Sequence, residues 1–545
     1  MTKVRTTTGT TTDEITGTYD AVIVGAGFAG MYMLHKLRGL GFTARVYDAA
    51  GGVGGTWYWN RYPGARCDVQ SLDYSFSFDP ELEQEWEWTE KFSTQPEILS
   101  YANHVADRYD LWPDMQFSTR VEAARFDEGS GRWIVSTDQG DVVSAQHIVM
   151  AVGTLSTPKL PETPGIETFR GETYQTQKWP HGGVDFTGKR VAVIGTGSSA
   201  IQSIPLIAEQ AGNLTVFQRT PNFSMPAGNR LLDVAEVAER RADYPGYRQL
   251  ARESFFGIPI AGEPKMAFEV SEEERNATYE AGWGAGNLVA LIGAYGDILF
   301  DKAANDTAAE FICNKIRAIV DDPEVAETLC PKDYPVGTKR PCLDTNYYAT
   351  FNRPDVRLVD LRKSPITQIT PQGLDTSEES FEFDAIVYAT GFDAMTGSLV
   401  SVNVAGVGGV QLKEAWTDGP MTYLGLAVAG FPNFYTVTGP QSPSVLSNMM
   451  VSIEQHVDWI ADCMAFMRDN GYSTIEATPE AQLAWVEHSS EIGDQTLYPL
   501  ANSWYMGANV PGKPRVFLPY IGGVGPYRQK CGEVAANGYE GFKLA

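Results

Sequence analysis

Residues 19–50, YDAVIVGAGFAGMYMLHKLRGLGFTARVYDAA, decide the fold. They read as an apolar strand, a turn holding Gly25, Gly27 and Gly30, an amphipathic helix, and a second strand ending in Asp48. Each glycine has a mechanical reason: Gly25 permits the tight turn, Gly27 lets backbone approach a pyrophosphate, and Gly30 allows close helix packing. The helix N-terminus attracts phosphate charge. Asp48, about twenty residues beyond the first glycine, is placed to accept from a ribose hydroxyl. A glycine-rich structural turn would explain the glycines alone, but not the strand before them, the helix after them and the acid at the end.

A second copy follows at residues 189–221, KRVAVIGTGSSAIQSIPLIAEQAGNLTVFQRTP, with Gly195, Gly197 and Ala200 in the same geometry. Ser198, Ser199 and Gln202 open its helix, and Arg219 and Thr220 close its second strand. No acid stands there to repel a 2′-phosphate, and Arg219 offers a guanidinium to one, which points to NADPH. A surface arginine at a strand end is the bland alternative. Two further apolar strands, QHIVMAVGTLS (146–156) and FDAIVYATGFD (383–393), end in small residues and bracket the second copy. The fold class expected is therefore α/β, with two dinucleotide-binding, Rossmann-like domains, the second inserted in the first, and a helical insert; this arrangement resembles that of flavin-dependent oxidoreductases, which implies FAD on the first domain and NADP on the second. The boundaries expected are 19–150 and 390–545 for the FAD domain, 151–220 and 335–389 for the NADP domain, and 221–334 for the insert. Within the insert, Ser271 to Glu274 reads as a capping box, and Asp322–Pro323 as a cap and first-turn proline. Nothing catalytic stands out there, and it reads as a structural wall.

At 545 residues the chain exceeds one hydrophobic core, so two to three domains are expected. A formal net charge of −26 with no basic run argues against nucleic acid or an anionic membrane as partner. The six cysteines are scattered, with no CxxC pair and no zinc spacing, and the histidines show no metal spacing either, so no metal is expected. Reduced thiols, the absence of a long apolar run and the polar, Thr-rich start read as a cytoplasmic protein with a disordered tail over 1–18.

Two stretches carry more specific chemistry. GGTWYWNRYPGARCD, residues 54–68, is dense in aromatics and ends in Asp68; VGTKRPCLDTNYY, residues 336–348, places Lys339 beside Arg340. With these the sequence resembles a type I Baeyer-Villiger monooxygenase, from about the first strand to the C-terminus. The 54–68 segment fits the family's pattern through its glycine pair, Trp57, Tyr62, Pro63, Gly64 and Asp68. SWYMGANVPGKPRVF (503–517), with Trp504, resembles the family's mobile loop, and GPQSPSVLSNMM (439–450) the segment bordering flavin and substrate.

The resemblance implies FAD on the first fold, NADPH on the second, and O2 and a small ketone as reactants. In the implied cycle NADPH reduces FAD, O2 forms an FAD peroxide, and attack on the ketone gives a tetrahedral adduct that collapses to an ester or lactone. Arg340, protonated at any working pH, would stabilise those anions, and Asp68 would orient it. Asp48 and Trp57 are then expected at FAD; Lys339 beside Arg219, together with Trp504, is expected at NADP. Ser444, Val445 and Leu446 would form an apolar pocket suited to cyclic or aryl ketones. A surface ion pair is the bland reading of Arg340 and Asp68, and core filler that of Trp504, Cys67 and Cys342.

A flavin monooxygenase oxygenating nitrogen or sulfur shares both glycine patterns but has no need of the Asp68 and Arg340 pair. A non-catalytic FAD/NADP redox sensor is the more remote alternative. FRGETYQTQKW (169–179) is expected to be a linker between the domains, its marks Phe169, Gly171 and Trp179 matching the family fingerprint. Gln175 stands where the family has a histidine, and is expected to keep a linker hydrogen bond without being able to take up a proton.

Overall fold

The computed structural model describes residues 15–259 and 264–545. Its first sheet is built on β1 (Gly17–Val24), which pairs in parallel with β2 (Ala44–Tyr47), the latter pairing with β3 (Met115–Gln116). Ala21, Val22 and Ile23 are all wholly buried, as a strand covered on both faces requires. The antiparallel pair β4 (Val121–Asp127) and β5 (Arg132–Thr137) leads into β6 (Val142–Met150), which returns beside β1. Strands Asn403–Ala405 and Phe434–Thr436 complete the sheet from the C-terminal part of the chain. β1 begins at Gly17, and the Thr16 amide donates to Val142 O at 2.7 Å, so pairing starts inside the expected tail. Residues 1–14 lie outside the described residues.

The second sheet is wholly parallel, in the order Val356–Asp360, β9 (Asn213–Gln218), β8 (Arg190–Ile194), Ala385–Tyr388 and β7 (Glu172–Gln175). The chain leaves the first sheet after β6 and comes back after Ala385–Tyr388. Where those two passages run side by side, Pro158 and Phe392 form an antiparallel bridge. Each passage also presses on a glycine turn. Gly25 has φ +107° and Gly195 φ +114°; a Cβ on Gly25 would lie 2.5 Å from Ala151 O, and one on Gly195 2.4 Å from Ala389 O. Only glycine fits these two turns, on both counts.

The 169–179 stretch is not a free connector. Glu172–Gln175 is the edge strand β7, in register with Ala385–Tyr388, and Trp179 packs into the second core against Tyr174 and Phe186. Among the described residues the Gln175 side chain makes no hydrogen bond. The amide that ties this stretch to the return passage belongs to Gln177, whose Nε2 donates to Gly391 O at 2.7 Å. An edge strand with one solvated face looks like a loop in sequence, because only half its residues are covered.

The helices between Ser224–Pro226 and Cys342–Asp344 form the insert. Ser271 caps Glu272–Ala285 by accepting from the Glu274 amide, and Asp322 caps Pro323–Leu329. Its entry, Ser224–Pro226, pairs in parallel with its exit, Cys342–Asp344. The seam to the first sheet's side is polar and dry: Arg248 Nε donates to Glu83 Oε1 at 2.7 Å and its Nη2 to Ser75 Oγ at 2.7 Å, with both charged side chains about 5 % exposed or less. Among the described residues no helix is long and apolar enough to cross a membrane.

Candidate active site

The segment 54–68 bridges the two glycine turns. At its start Gly55, with φ +54°, faces Gly27 so closely that a Cβ on Gly55 would lie 3.0 Å from the Gly27 Cα. Further on, Tyr62 donates through its hydroxyl to Gln202 Oε1 at 2.9 Å, and a Cβ on Gly64 would lie 2.4 Å from Gln202 O. Trp57 is buried between, its Nε1 donating to the Tyr74 hydroxyl at 3.2 Å while its carbonyl accepts from Gln95. The segment thus starts on the first fingerprint, crosses to the helix of the second, and delivers Asp68 between them.

Asp68 meets Arg340 in a two-pronged pair, Nε to Oδ2 and Nη2 to Oδ1, both 2.7 Å; Nη1 donates to Val445 O at 2.8 Å. Burial alone would depress the Arg340 pKa, but the charge of Asp68 and its two hydrogen bonds outweigh that and hold it well above the ordinary arginine value. Val445 is held by a strained loop. Thr438, Gln441 and Ser444 have φ of +55°, +62° and +41°, and the Thr438 amide donates to buried His456 Nδ1 at 2.8 Å. Asp68, Arg340, Val445 and Leu446 line one cavity. Ser444 does not reach it: wholly buried, its hydroxyl donates to Thr438 O.

Sequence reasoning put part of the pocket wall in the helical insert but named none of its side chains. Phe256, Ile258, Val289 and Ile292 wall it from the helical insert, and Phe92, Tyr498 and Tyr505 from elsewhere. The insert is therefore part of the site as well as a wall. Its side chains carried no signal because they are ordinary apolar residues, Val289 and Ile292 in a short helix and Phe256 and Ile258 in the bend after another. Trp504 is half-buried with its ring 4.1 Å from that of Tyr505, and it is Tyr505 that reaches the cavity. Burial pushes the Cys67 and Cys342 thiols up, Cys342 to about 12, so neither is a thiolate nucleophile; Ser198 Oγ lies 3.1 Å from Cys342 Sγ.

Both glycine turns fit a dinucleotide. The helices Phe28–Gly39 and Ser198–Gln210 start at Gly27 and Gly197 with no capping side chain and no acid in the first turn, so their amides are free for phosphate. Nothing stands within 4 Å of where a Gly197 Cβ would be. Asp48 accepts from the Ala26 and Ala50 amides at 2.6 and 2.7 Å, which fixes its carboxylate at the end of β2. Arg219 is exposed, and Lys339 Nζ sits 4.5 Å above the Tyr334 ring. Burial, and then the nearby Arg219 charge, lower the Lys339 pKa to about 8. Among the described residues neither cation has a carboxylate within 4 Å. Thr220 O accepts from the Thr196 hydroxyl, tying the turn to the end of β9. Ser199 lies beside the Tyr62 hydroxyl. No group of three or more His, Cys, Asp or Glu that could hold a metal occurs among the described residues.

Comparison with known proteins places this architecture. Residues 22–230 match the family model described as pyridine nucleotide-disulphide oxidoreductase. The chain is 43% identical to a Baeyer-Villiger monooxygenase of Pseudooceanicola batsensis, over 97% of this chain and 96% of the relative. It is 42% identical to a phenazine N-monooxygenase of Lysobacter antibioticus, over 96% and 97%. The solved structure of an oxidized steroid monooxygenase bound to NADP superimposes with a TM-score of 0.93 at 55% identity, covering 97% of this chain and 99% of that one. The chain belongs to the flavin-dependent Baeyer-Villiger monooxygenases.

Proposed function

We propose that this enzyme uses NADPH and O2 to oxidise ketones, cyclic or aryl, to lactones or esters. FAD is assigned to the Gly25 turn with Asp48 and Trp57, and NADP to the Gly195 turn with Ser198, Ser199, Gln202, Arg219, Thr220, Lys339 and Trp504. The corresponding domains are 19–150 with 390–545 for FAD and 151–220 with 335–389 for NADP, the insert being 221–334. Bound FAD, once reduced, supplies the chemistry that activates O2. The protein's share is charge, position and dryness.

The observation that carries the reading is the Arg340–Asp68 pair at the cavity wall. A permanent cation on the wall of a partly enclosed cavity stabilises negative charge as it develops on the ketone oxygen, and needs no reorganisation to do so. Asp68 fixes two of the five guanidinium N–H groups and Val445 O a third, leaving two facing other partners, substrate among them. Phe256, Ile258, Val289 and Ile292 favour an apolar ring next to that polar point. The test is a panel of ketones given to the holoenzyme with NADPH and isotopically labelled O2. One labelled atom is expected in an ester or lactone. Arg340→Ala should keep FAD and its reduction by NADPH while ester formation falls at least about a hundredfold.

A second reading is favoured by the phenazine N-monooxygenase relative: oxygen transfer to a ring nitrogen. Label found only in N-oxides or sulfoxides would establish it in place of ketone oxidation.

A further inference from the structure

The segment that carries Trp504 and Tyr505 is fastened to both passages between the sheets. Lys513 Nζ, its side chain 11% exposed, donates to Asp393 Oδ1 at 2.6 Å and to Ala394 O at 2.8 Å. Asn509 Nδ2 donates to Phe392 O at 2.7 Å, and Lys159 Nζ donates to Asn509 O. Lys159 belongs to the outward passage and Phe392 to Ala394 to the return, beside the point where Pro158 and Phe392 bridge. A small core of Leu155, Ala394, Val445, Tyr498 and Tyr505 lies beneath.

At the other end of this segment Tyr505 is 2% exposed and lines the same cavity as Arg340. Its ring is held edge-on to Tyr498 at 5.4 Å and 84°, and its carbonyl accepts from the Leu518 amide at 2.8 Å. Tyr505 and Arg340 line the same cavity close enough for the charge of one to act on the other, and the guanidinium has one N–H on each terminal nitrogen not used by Asp68 or Val445. Burial pushes that phenol up to about 12 against the pull of Arg340, so it keeps its proton. A neutral phenol can accept one N–H and still donate.

We propose that Tyr505 is a positioning residue for Arg340: its hydroxyl takes up one remaining N–H so that the other is aimed at the substrate oxygen, and the Lys513–Asp393 anchor presents it there only while the segment is seated on both passages. The inference rests on the ketone-oxidising reading given above. It makes the geometry of the cation depend on how the two sheets sit, through a residue that touches neither nucleotide turn.

Tyr505→Phe removes one oxygen and keeps the ring packing. In holoenzyme with FAD content and thermal midpoint checked, the expected result is a ketone KM within about twofold of wild type and a kcat for ester lowered roughly tenfold, the scale of one hydrogen bond. The NADPH still consumed should appear as hydrogen peroxide. Lys513→Met, outside the cavity, should raise the peroxide fraction in the same way, and serves if Tyr505→Phe does not fold. Wild-type kcat and coupling in both variants would overturn the inference while leaving ketone oxidation intact. A wild-type enzyme that makes no ester from any ketone would instead overturn the functional reading, and the positioning role with it.

Discussion

Lys339 is a residue whose chemistry depends on its neighbours more than on its type. Buried over Tyr334 and next to Arg219, it has a pKa lowered to about 8, so near neutral pH it is charged but readily gives up its proton. With Lys339 at the 2′-phosphate, as proposed above, the sign of the consequence is fixed: the protonated side chain attracts that phosphate and the neutral one does not, so affinity for NADPH is expected to be full below about 8 and to fall as pH rises through it, while affinity for NADH stays flat. Titration of flavin reduction against each nucleotide from pH 6.5 to 9.5 measures this, the range being about 1.5 units either side of the lowered pKa. Lys339→Met should remove the slope and weaken NADPH at every pH. Lys339 was legible in sequence as the neighbour of Arg340 and, through the family resemblance, as a partner of Arg219 at NADP. The depression of its pKa comes from burial and then from Arg219, which the fold brings from far along the chain.

Among the elements, β7 separates what sequence shows from what it hides. The two strand–turn–helix units were readable because every determinant is local: an apolar strand, glycines at fixed spacing, a helix, and a charged or neutral strand end. The edge strand was not, because Glu172 and Thr173 are exposed and its pairing partner, Ala385–Tyr388, lies some two hundred residues on. The same distance hid the division of labour between Gln175 and Gln177. Gln177 is 3% exposed and is one of two donors to Gly391 O, the other being the Lys159 amide at 3.0 Å, so Gln177→Leu should remove one of that carbonyl's two partners and lower stability by about 0.5–1.5 kcal/mol. Gln175→Leu should change stability by no more than about 0.5 kcal/mol. Denaturant unfolding of the two variants side by side decides the matter, and a larger loss for Gln175 would reverse the assignment. The site shows the same pattern. Asp68 and Arg340 were found through flanking residues of unusual composition, whereas Phe256, Val289 and Ile292 are ordinary apolar residues with no such pattern around them.

For the whole molecule, the question is what keeps the insert against the first sheet's side, since the cavity is closed by both. The answer is a buried charge. Arg248 and Glu83 are each about 5% exposed or less, and Arg248 also donates to Asp73 O and Ser75 Oγ. Removing the arginine leaves a carboxylate buried without a partner. Arg248→Met is accordingly expected to destabilise the protein by about 3–5 kcal/mol, with cleavage between residues 230 and 330 appearing early in limited proteolysis. An unchanged thermal midpoint would mean that apolar packing alone seats the insert.

The pairing of Ser224–Pro226 with Cys342–Asp344 has a consequence for how such enzymes diversify. Because the insert's entry and exit lie in register, more than a hundred residues leave and rejoin the nucleotide-binding framework through a gap one strand wide. Such a piece can be lengthened, shortened or exchanged between relatives without moving either cofactor cradle, and it brings much of the apolar cavity wall with it. Arg340 lies two residues before the exit strand. A chimera joined at Ser224 and Cys342 would therefore import the donor's arginine along with its pocket, whereas one joined before Thr338 would test the pocket alone.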